Sequence, residues 1–425
     1  MLQVTFIREN FEKAAQGLEK RNIREAQSLL RQVVQLDDER KGIQLQRDQL
    51  QAEANSISKS IGQLMRSGNH AEAEKVKSRT AEIKQQTKEL ETAYSEKELE
   101  LTQLLYTLPN IPHESVPTGK SAEDNETIFT HGNLPELSES EKLPHWELIK
   151  KYDIIDFELG VKISGAGFPV YKGKGARLQR ALVNFFLDEA QKAGYMEIQP
   201  PILVNEDSGY GTGQLPDKEG QMYFATEDNL YLIPTAEVPI TNIYRNEILQ
   251  EDQLPIKNVG FTPCFRREAG SWGAHVRGLN RLHQFDKVEI VHISRPDKSY
   301  AALEEMSTYV QSLLKKLELP YRVLRLCGGD MGFTSALTYD MEVFSAAQER
   351  WLEVSSVSNF ETYQANRLKL RFRDENKKTN LAHTLNGSAL ALPRIVAAIL
   401  ENNQHADGIK MPSVLIPYLG FEWIQ

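Results

Sequence analysis

The sequence predicts an α+β protein: an antiparallel sheet flanked by helices, preceded by a long antiparallel α-helical coiled-coil arm. Three observations carry this expectation. Residues 25–105 contain no proline and few glycines and are rich in Gln, Glu, Lys, Leu and Ala, all tolerated or favoured in helices. Within that stretch apolar residues recur at a seven-residue interval. Beyond residue 144, short β-like runs are joined by turns and loops, with no regular strand–helix–strand repeat.

The arm is read from its seam. Leu36, Ile43, Leu50, Ile57 and Leu64 fall seven apart, accompanied by Val33, Ala54 and Ile61, and a second series runs through Val76, Ile83, Leu90, Lys97 and Leu104 with Ala73, Tyr94 and Leu101. Between the two lies Arg66-Ser67-Gly68-Asn69-His70, rich in turn formers, which predicts that the helices fold back on each other. About forty residues per helix at ~1.5 Å rise gives an arm on the order of 60 Å. Arg40, Arg47, Thr80 and Thr87 interrupt the seam, so this hairpin is weaker than an ideal zipper. Toward the tip, Lys59, Arg66, Lys75, Lys77, Arg79, Lys84 and Lys88 outnumber Glu72, Glu74 and Glu82, whereas Glu89, Glu91, Glu96, Glu98 and Glu100 make the base acidic. A charge run is most often a solvated helix face. A basic tip on an acidic protein points instead to contact with phosphate.

LPNIPHESVPTG, with three prolines, closes the helical region and sets a domain boundary. We therefore expect an arm over 1–108 and a second domain over 109–425. In the latter, a helix over 177–193 is stopped by Gly194, a strand over 195–199 runs into Pro200-Pro201, and further strands are expected at 230–233, 258–265, 282–290 and 338–344.

Bulk properties narrow the function. The 425 residues are 40% hydrophobic and 26% charged with net charge −9, ordinary for a soluble globular protein and against one coated in nucleic acid. The N-terminus lacks a basic segment followed by an apolar one, and no 18-residue apolar run occurs, so export and membrane insertion are not expected and a cytoplasmic location is. Cys264 and Cys327 stand alone, without metal-ligand spacing, so neither a disulfide framework nor zinc is expected. No GxxxxGK[ST], and no GxGxxG after a strand, suggests a P-loop or Rossmann site.

FRREAGSWGAHVRGLNRLHQFDKVEI, residues 265–290, is a poor recipe for a hydrophobic core. It reads as strand, glycine-rich loop, strand. Arg266 at a strand end offers a planar fork for phosphate. Glu268, two residues on, is expected on the same face of an extended strand, free to accept from an amino group. Phe285 offers a ring for stacking, and Glu289, four residues later on that face, offers a carboxylate to an ammonium. Such a set suits an aminoacyl-adenylate, although a surface hairpin with cross-strand salt bridges fits the segment alone equally well.

The segment resembles motif 2 of the class II aminoacyl-tRNA synthetases in its seryl form. The resemblance covers the whole chain, because the helical arm, PTAEVPITN, PCFRREAGS, LNRLHQFDKVE, EVSSVSNFETYQANR and HTLNGSALALPR occur in the family's order. It implies motif 1 near 177–203, motif 2 near 258–290 and motif 3 near 383–400. For serine it implies Thr235, Ala236, Glu237, Glu289, Asn386 and Ser388. For ATP it implies Arg266, Arg267, Glu268, Phe285, Glu353, Val354, Ser355, Ser356 and Arg394, with Arg266 and Arg394 stabilising transition-state charge and Glu353 and Ser356 serving Mg²⁺ that arrives with ATP. Read alone, Asn386-Gly387-Ser388 is simply a turn. The sequence departs from the family's usual pattern at Arg267, Trp272, Ala389 and Pro393. Thr212-Gly213-Gln214-Leu215-Pro216 resembles a loop that orders over the site when serine binds.

The activity implied is ATP-dependent attachment of serine to serine tRNA through seryl-adenylate, in a homodimer built on motif 1, with selenocysteine tRNA a further substrate where that tRNA exists. The arm resembles the family's tRNA reader, with Lys75, Lys77 and Arg79 as candidate contacts. Two other readings share part of this pattern: a carrier-protein aminoacyl ligase, whose relatives lack the arm, and a catalytically silent RNA-binding paralogue, which would have lost some of Arg266, Glu289, Glu353 or Arg394. Cys264, inside an apolar strand, and His283, without a visible partner, are not expected to act as nucleophiles.

Overall fold

A computed structural model describes residues 1–66, 69–138, 142–217, 219–268 and 276–425, with backbone alone at 60–66, 70 and 73. The chain divides into two compact units, one of residues 2–19 and 23–109, the other of residues 1, 20–22 and 110–425.

The first unit is helical. Short helices α1 (Val4–Glu9) and α2 (Phe11–Lys20) precede the two long ones, α3 (Ala26–Arg66) and α4 (His70–Thr107). The helices break where the turn formers stand; Ser67 and Gly68 themselves lie outside the described residues. Of the predicted seam, Val33, Leu36, Ile83 and Leu101 are buried, and Ile43, Leu50, Ile57, Val76, Leu90 and Tyr94 are half-buried, as facing positions of a two-helix hairpin are. The seam interruptions have a physical use. Arg40 Nη1 donates to the Tyr94 hydroxyl at 2.8 Å, and the guanidinium of Arg47 lies 5.2 Å from the Tyr94 ring centroid, a cation–π contact where an aliphatic knob was expected. Arg79 forks onto Glu53 across the hairpin at 2.8 and 3.0 Å and also reaches Glu82.

The second unit is built on an eight-stranded sheet. Its strands are β1 (Glu126–His131), β2 (Met196–Glu197), β3 (Ile256–Phe265), β4 (Gln284–Ser294), β5 (Tyr321–Arg325), β6 (Leu337–Ser345), β7 (Arg350–Asn359) and β8 (His383–Ala391). They lie in the order β1-β5-β6-β7-β8-β4-β3-β2. Every neighbouring pair is antiparallel except β2 with β3 at the edge, which is parallel.

One face of the sheet is apolar. Val288 and Ile290 of β4, Met341 and Val343 of β6 and Leu385 of β8 pack with Leu178, Leu182 and Phe185 of α5 (Gly173–Lys192), Leu303, Met306 and Val310 of α8 (Ser299–Lys316), and Ile395 and Ile399 of α10 (Leu392–Asn402). The helix α5 begins four residues before the expected start. Glycine is a poor helix former, yet a Cβ on Gly175 would sit 2.2 Å from the Ile154 carbonyl oxygen, so this turn closes only with glycine. Gly194, at φ +86°, stops the helix as expected. The opposite face carries alternate residues of the same strands, among them the polar Lys287 and Glu289 of β4, Asp340 of β6 and Asn386 and Ser388 of β8.

Three short helices border that polar face: α6 (Glu206–Thr212), α7 (Glu237–Asn242) and α9 (Thr362–Leu368). Among the described residues, no helix is long and apolar enough to cross a membrane.

Candidate active site

Alternation along β4 sends Phe285, Lys287 and Glu289 to the polar face while Val288 and Ile290 enter the core. Across the sheet, Glu289 pairs with Ser388 and Val291 with Asn386 in the register of β4 on β8. The segment that reads alone as a turn is therefore the middle of a central strand. Glu237 opens α7, and the amide of Glu237 donates to Thr235 Oγ1 at 3.3 Å. The structure thus brings Thr235, Glu237, Glu289, Asn386 and Ser388 to one buried place. Ala236 is fully buried and packs beneath, against Ile240 and Val291.

Two residues that sequence reasoning passed over complete this pocket. Lys287, only 6% exposed, places Nζ 2.6 Å from Glu289 Oε2 and donates to Thr235 Oγ1 at 2.9 Å. The period of β4 was the signal for it, since position 287 shares a face with 285 and 289. Gln364 of α9, with no exposed surface, donates from Nε2 to Glu237 Oε1 at 2.6 Å. No local signal marks it. Burial and the nearby Glu289 charge push the Glu237 carboxyl up to about 7, with the Gln364 hydrogen bond and the Lys287 ammonium opposing. Asn386 also lowers it, although its Nδ2 has no aligned hydrogen-bond partner among the described residues. With both acids ionised, two carboxylates and one ammonium leave one uncompensated negative charge, the complement of a single ligand ammonium.

Next to the pocket is a set of groups suited to a ligand that carries both an aromatic ring and a phosphate. Arg266 follows the last residue of β3; its backbone N–H donates to the His283 carbonyl at 2.9 Å and its Nε to the Pro234 carbonyl at 3.3 Å. Its guanidinium lies 5.3 Å from the Phe285 ring centroid. Glu268 does not share an extended strand with Arg266, because β3 ends at Phe265 and Glu268 adopts φ +50°; its carboxylate pairs with Arg281. Arg267 turns to the wall, donating to the Met222 carbonyl at 3.2 Å and stacking over Tyr223. Trp272 lies outside the described residues.

A β-bulge reshapes the far end. Register between β6 and β7 shifts at Met341/Glu342, so Glu353 and Ser356, three apart, share the polar face with Asp340 and Glu342. Val354 falls into the core, and Ser355 Oγ donates to the Ser388 carbonyl at 2.6 Å; neither side chain faces the cleft. Ser356 Oγ donates to Asp340 Oδ1 at 2.6 Å. Burial, with Glu353 adding to it, raises the Asp340 carboxyl well above its ordinary range. Arg394, in the first turn of α10, donates from Nη1 to the Glu353 carbonyl at 2.6 Å and from Nε to the Asn280 carbonyl at 3.1 Å. Two groups are not placed as nucleophiles: Cys264 is buried with its thiol pushed up by desolvation, and His283 Nδ1 is 2.7 Å from the Tyr223 hydroxyl.

Comparison with known proteins agrees with this arrangement. Residues 223–403 match the family model described as tRNA synthetase class II core domain (G, H, P, S and T), and residues 1–112 match the seryl-tRNA synthetase N-terminal domain. The chain is 50% identical over 423 residues to a serine–tRNA ligase of Salinibacter ruber, covering 99% of this chain and 98% of that one. It is 46% identical to the serine–tRNA ligase of Chlorobaculum parvum over the full length of both. The crystal structure of seryl-tRNA synthetase from Pyrococcus horikoshii complexed with ATP superposes with a TM-score of 0.92 at 35% identity, covering 100% of this chain and 99% of that one. A full-length match of this kind, arm included, removes the carrier-ligase and silent-paralogue readings. The chain belongs to the seryl-tRNA synthetase family of class II aminoacyl-tRNA synthetases and is an enzyme of the serine–tRNA ligase type.

Proposed function

We propose that the pocket formed by Glu237, Glu289, Thr235, Asn386 and Ser388 holds L-serine beside ATP, and that serine is activated there as its adenylate before transfer to tRNA. The observation that carries this reading is the buried charge balance of Glu237, Glu289 and Lys287 next to the Arg266–Phe285 pair. The carboxylates take the substrate's ammonium, and Asn386 and Ser388 offer hydrogen bonds to its hydroxyl. Alanine and glycine leave those buried groups unpaired, while threonine's methyl has to be excluded by shape. Arg266, held against the Pro234 carbonyl, faces the serine carboxylate and the α-phosphate. The carboxylate oxygen attacks the α-phosphorus, the bond to the β-phosphate breaks, and pyrophosphate leaves past Arg394. The terminal ribose hydroxyl of tRNA then attacks the acyl carbon and AMP departs. No side chain forms a covalent intermediate, so positioning and electrostatics carry the rate.

The residues present fit Mg²⁺ arriving with ATP. Asp340, Glu353 and Ser356 form an all-oxygen set in which Asp340 is desolvated and short of positive charge, the donor type this ion takes. Among the described residues no group of three or more His, Cys, Asp or Glu side chains is placed to hold a metal ion. Glu353 and Ser356 would hold the ion that arrives with ATP, and it would neutralise phosphate charge.

The arm over 1–108 reads serine tRNA, and selenocysteine tRNA where that tRNA exists, and the rest of the chain over 109–425 is catalytic. RNA duplexes are recognised mainly by shape and backbone, which suits a basic-tipped rod. A second copy docks on α5 and β2. In support, Met196 is 58% exposed on that sheet edge, and a cleft of about 500 Å³ lies between Arg180, Val183 and Leu187 of α5 and residues 197–199.

Amino-acid-dependent ATP/pyrophosphate exchange without tRNA tests the pocket. Serine is expected to support exchange, with threonine, alanine, glycine and cysteine far behind. Equal exchange with alanine, or none with serine, overturns the assignment.

A further inference from the structure

Outside the pocket, the second unit buries a carboxylate whose partners lead to Arg394. Glu401, near the end of α10, and His145, first residue of the short helix His145–Lys151, have no exposed surface. Glu401 Oε1 accepts from the His145 backbone N–H at 2.8 Å and lies 2.6 Å from His145 Nδ1; its Oε2 accepts from the Ser345 hydroxyl. The far ring nitrogen decides the tautomer. His145 Nε2 lies 2.8 Å from the Leu279 backbone nitrogen, and an amide N–H requires an acceptor, so Nε2 is bare and Nδ1 carries the proton given to Glu401. The pair therefore holds the turn Gly278–Asn280. A Cβ on Gly278, at φ +66°, would stand 2.2 Å from His145 Nε2, so only glycine lets the chain come this close.

Gln348 closes the circuit. Its Nε2 donates to Glu401 Oε1 at 2.9 Å, which leaves its Oε1 to accept from Asn280 Nδ2 at 3.0 Å. Asn280 is thus tied at its side chain and through the amide before it, and its carbonyl accepts from Arg394 Nε at 3.1 Å. Arg394 and Glu401 stand seven residues apart on α10, two turns along one face. The turn bridges them. Carbonyls of Asn280 and Glu353 clamp Nε and Nη1 of Arg394, which sets the plane of the guanidinium before any ligand arrives. The Glu353 carbonyl belongs to strand β7, whereas that of Asn280 lies in a turn with no sheet ladder to hold it, so its place depends on His145 and Gln348.

We propose that His145 is a positioning residue for the activation step, setting through Leu279 and Asn280 the aim of the Arg394 guanidinium at the phosphates of ATP. The idea rests on the reading that pyrophosphate leaves past Arg394. A guanidinium held in advance meets its phosphate without first losing freedom, so slackening the turn weakens the phosphate contact and spares the amino-acid pocket. Glu401 acts one step further back, by fixing the imidazole.

ATP/pyrophosphate exchange by the full-length protein, with ATP, pyrophosphate and serine varied separately, tests this. His145→Asn keeps a donor near Glu401 but removes the acceptor for Leu279. In it, KM for ATP and for pyrophosphate is expected to rise about tenfold, the scale of one hydrogen bond, while KM for serine stays within about twofold. His145→Gln reaches the Leu279 amide with its own Oε1 and is expected to recover most of the ATP loss, although both variants melt at lower temperature than the unaltered protein. Gln348→Met leaves the His145–Glu401 pair whole and unties Asn280 alone; it is expected to show the same split between ATP and serine. An unchanged KM for ATP in His145→Asn, or in Gln348→Met should the first not fold, overturns the proposal. So does a rise for serine equal to that for ATP, which is what loosening of the whole site produces. Arg394→Ala separates the proposal from the reading beneath it, because His145→Asn is expected to add nothing to KM for ATP on that background. If Arg394→Ala raises KM for ATP and His145→Asn adds its full effect again, the positioning role alone fails. If Arg394→Ala leaves exchange unaltered, the phosphate reading of Arg394 fails and the proposal with it.

Discussion

At the scale of single residues, burial decides which protonation state each group keeps. Glu237 is pushed up to about 7 by desolvation and by Glu289, and only its ionised form pairs with an ammonium. KM for serine is therefore expected to fall as pH rises from 6 to 8 in steady-state exchange assays, while in Glu237→Gln it stays flat and raised roughly 10- to 100-fold, the equivalent of losing about 1.5–3 kcal/mol from a charged hydrogen bond. A pH-independent KM in the unaltered protein argues against Glu237 as the ammonium's partner. His292 shows the opposite case. It donates to or accepts from the Tyr195 hydroxyl at 2.9 Å, and burial, with Lys257 nearby, pushes its pKa down to about 3. The unfolded chain takes up a proton near pH ~6.5 that the fold refuses. Stability from this residue is complete above that pH and is lost as pH falls toward 3. In urea titrations, His292→Phe is expected to be less stable at pH 7.5, because a buried Tyr195 hydroxyl loses its partner, yet to lose less between pH 7.5 and 5.5. Much of the site was legible at this scale, because carboxylates and arginines at motif positions announce themselves. Lys287 was legible in principle from strand alternation. Gln364 was not, since its role comes from partners 127 and 152 positions away.

At the scale of elements, local periodicity was readable and long-range pairing was not. The heptads of α3 and α4 are fixed by neighbours three and four residues apart, so their bounds emerged closely from sequence. The sheet order was hidden, because β4 is flanked by β3, close in sequence, and β8, about a hundred positions on. Asn386-Gly387-Ser388 accordingly looked like a turn until β7 and β4 were placed on either side. The start of α5 was missed for a related reason: Gly175 is there for the carbonyl of Ile154, not for its own helix propensity. Gly175→Ala is expected to destabilise the catalytic unit by about 1–3 kcal/mol, as overpacking does, in urea unfolding monitored by circular dichroism. An unchanged midpoint would mean that the backbone at 154 yields without cost.

At the scale of the whole molecule, the two units differ in where their charges sit. In the second unit the pocket charges of Glu237, Glu289 and Lys287 are buried. On the arm the three candidate contacts are not. Lys77 keeps its side chain 52% exposed beside Glu74, and Lys75 is exposed, whereas Arg79 is engaged by Glu53 and Glu82. Of the three candidate contacts, the two lysines are thus free to meet RNA, while Arg79 holds the hairpin together. Their replacement should separate accordingly. Lys75→Ala with Lys77→Ala is expected to raise KM for tRNA, to flatten the dependence of log KM on log salt by about 1–2 units, as loss of two phosphate contacts does, and to leave serine-dependent pyrophosphate exchange and the thermal melt unchanged. Arg79→Ala is expected to lower the melting temperature of the arm as well, since it removes a forked bond between α3 and α4. If the double lysine variant charges tRNA with unaltered KM and salt slope, the basic tip is a solvated face and the recognition lies elsewhere on the rod. If exchange falls together with charging, the units are coupled and the arm is more than a handle for RNA.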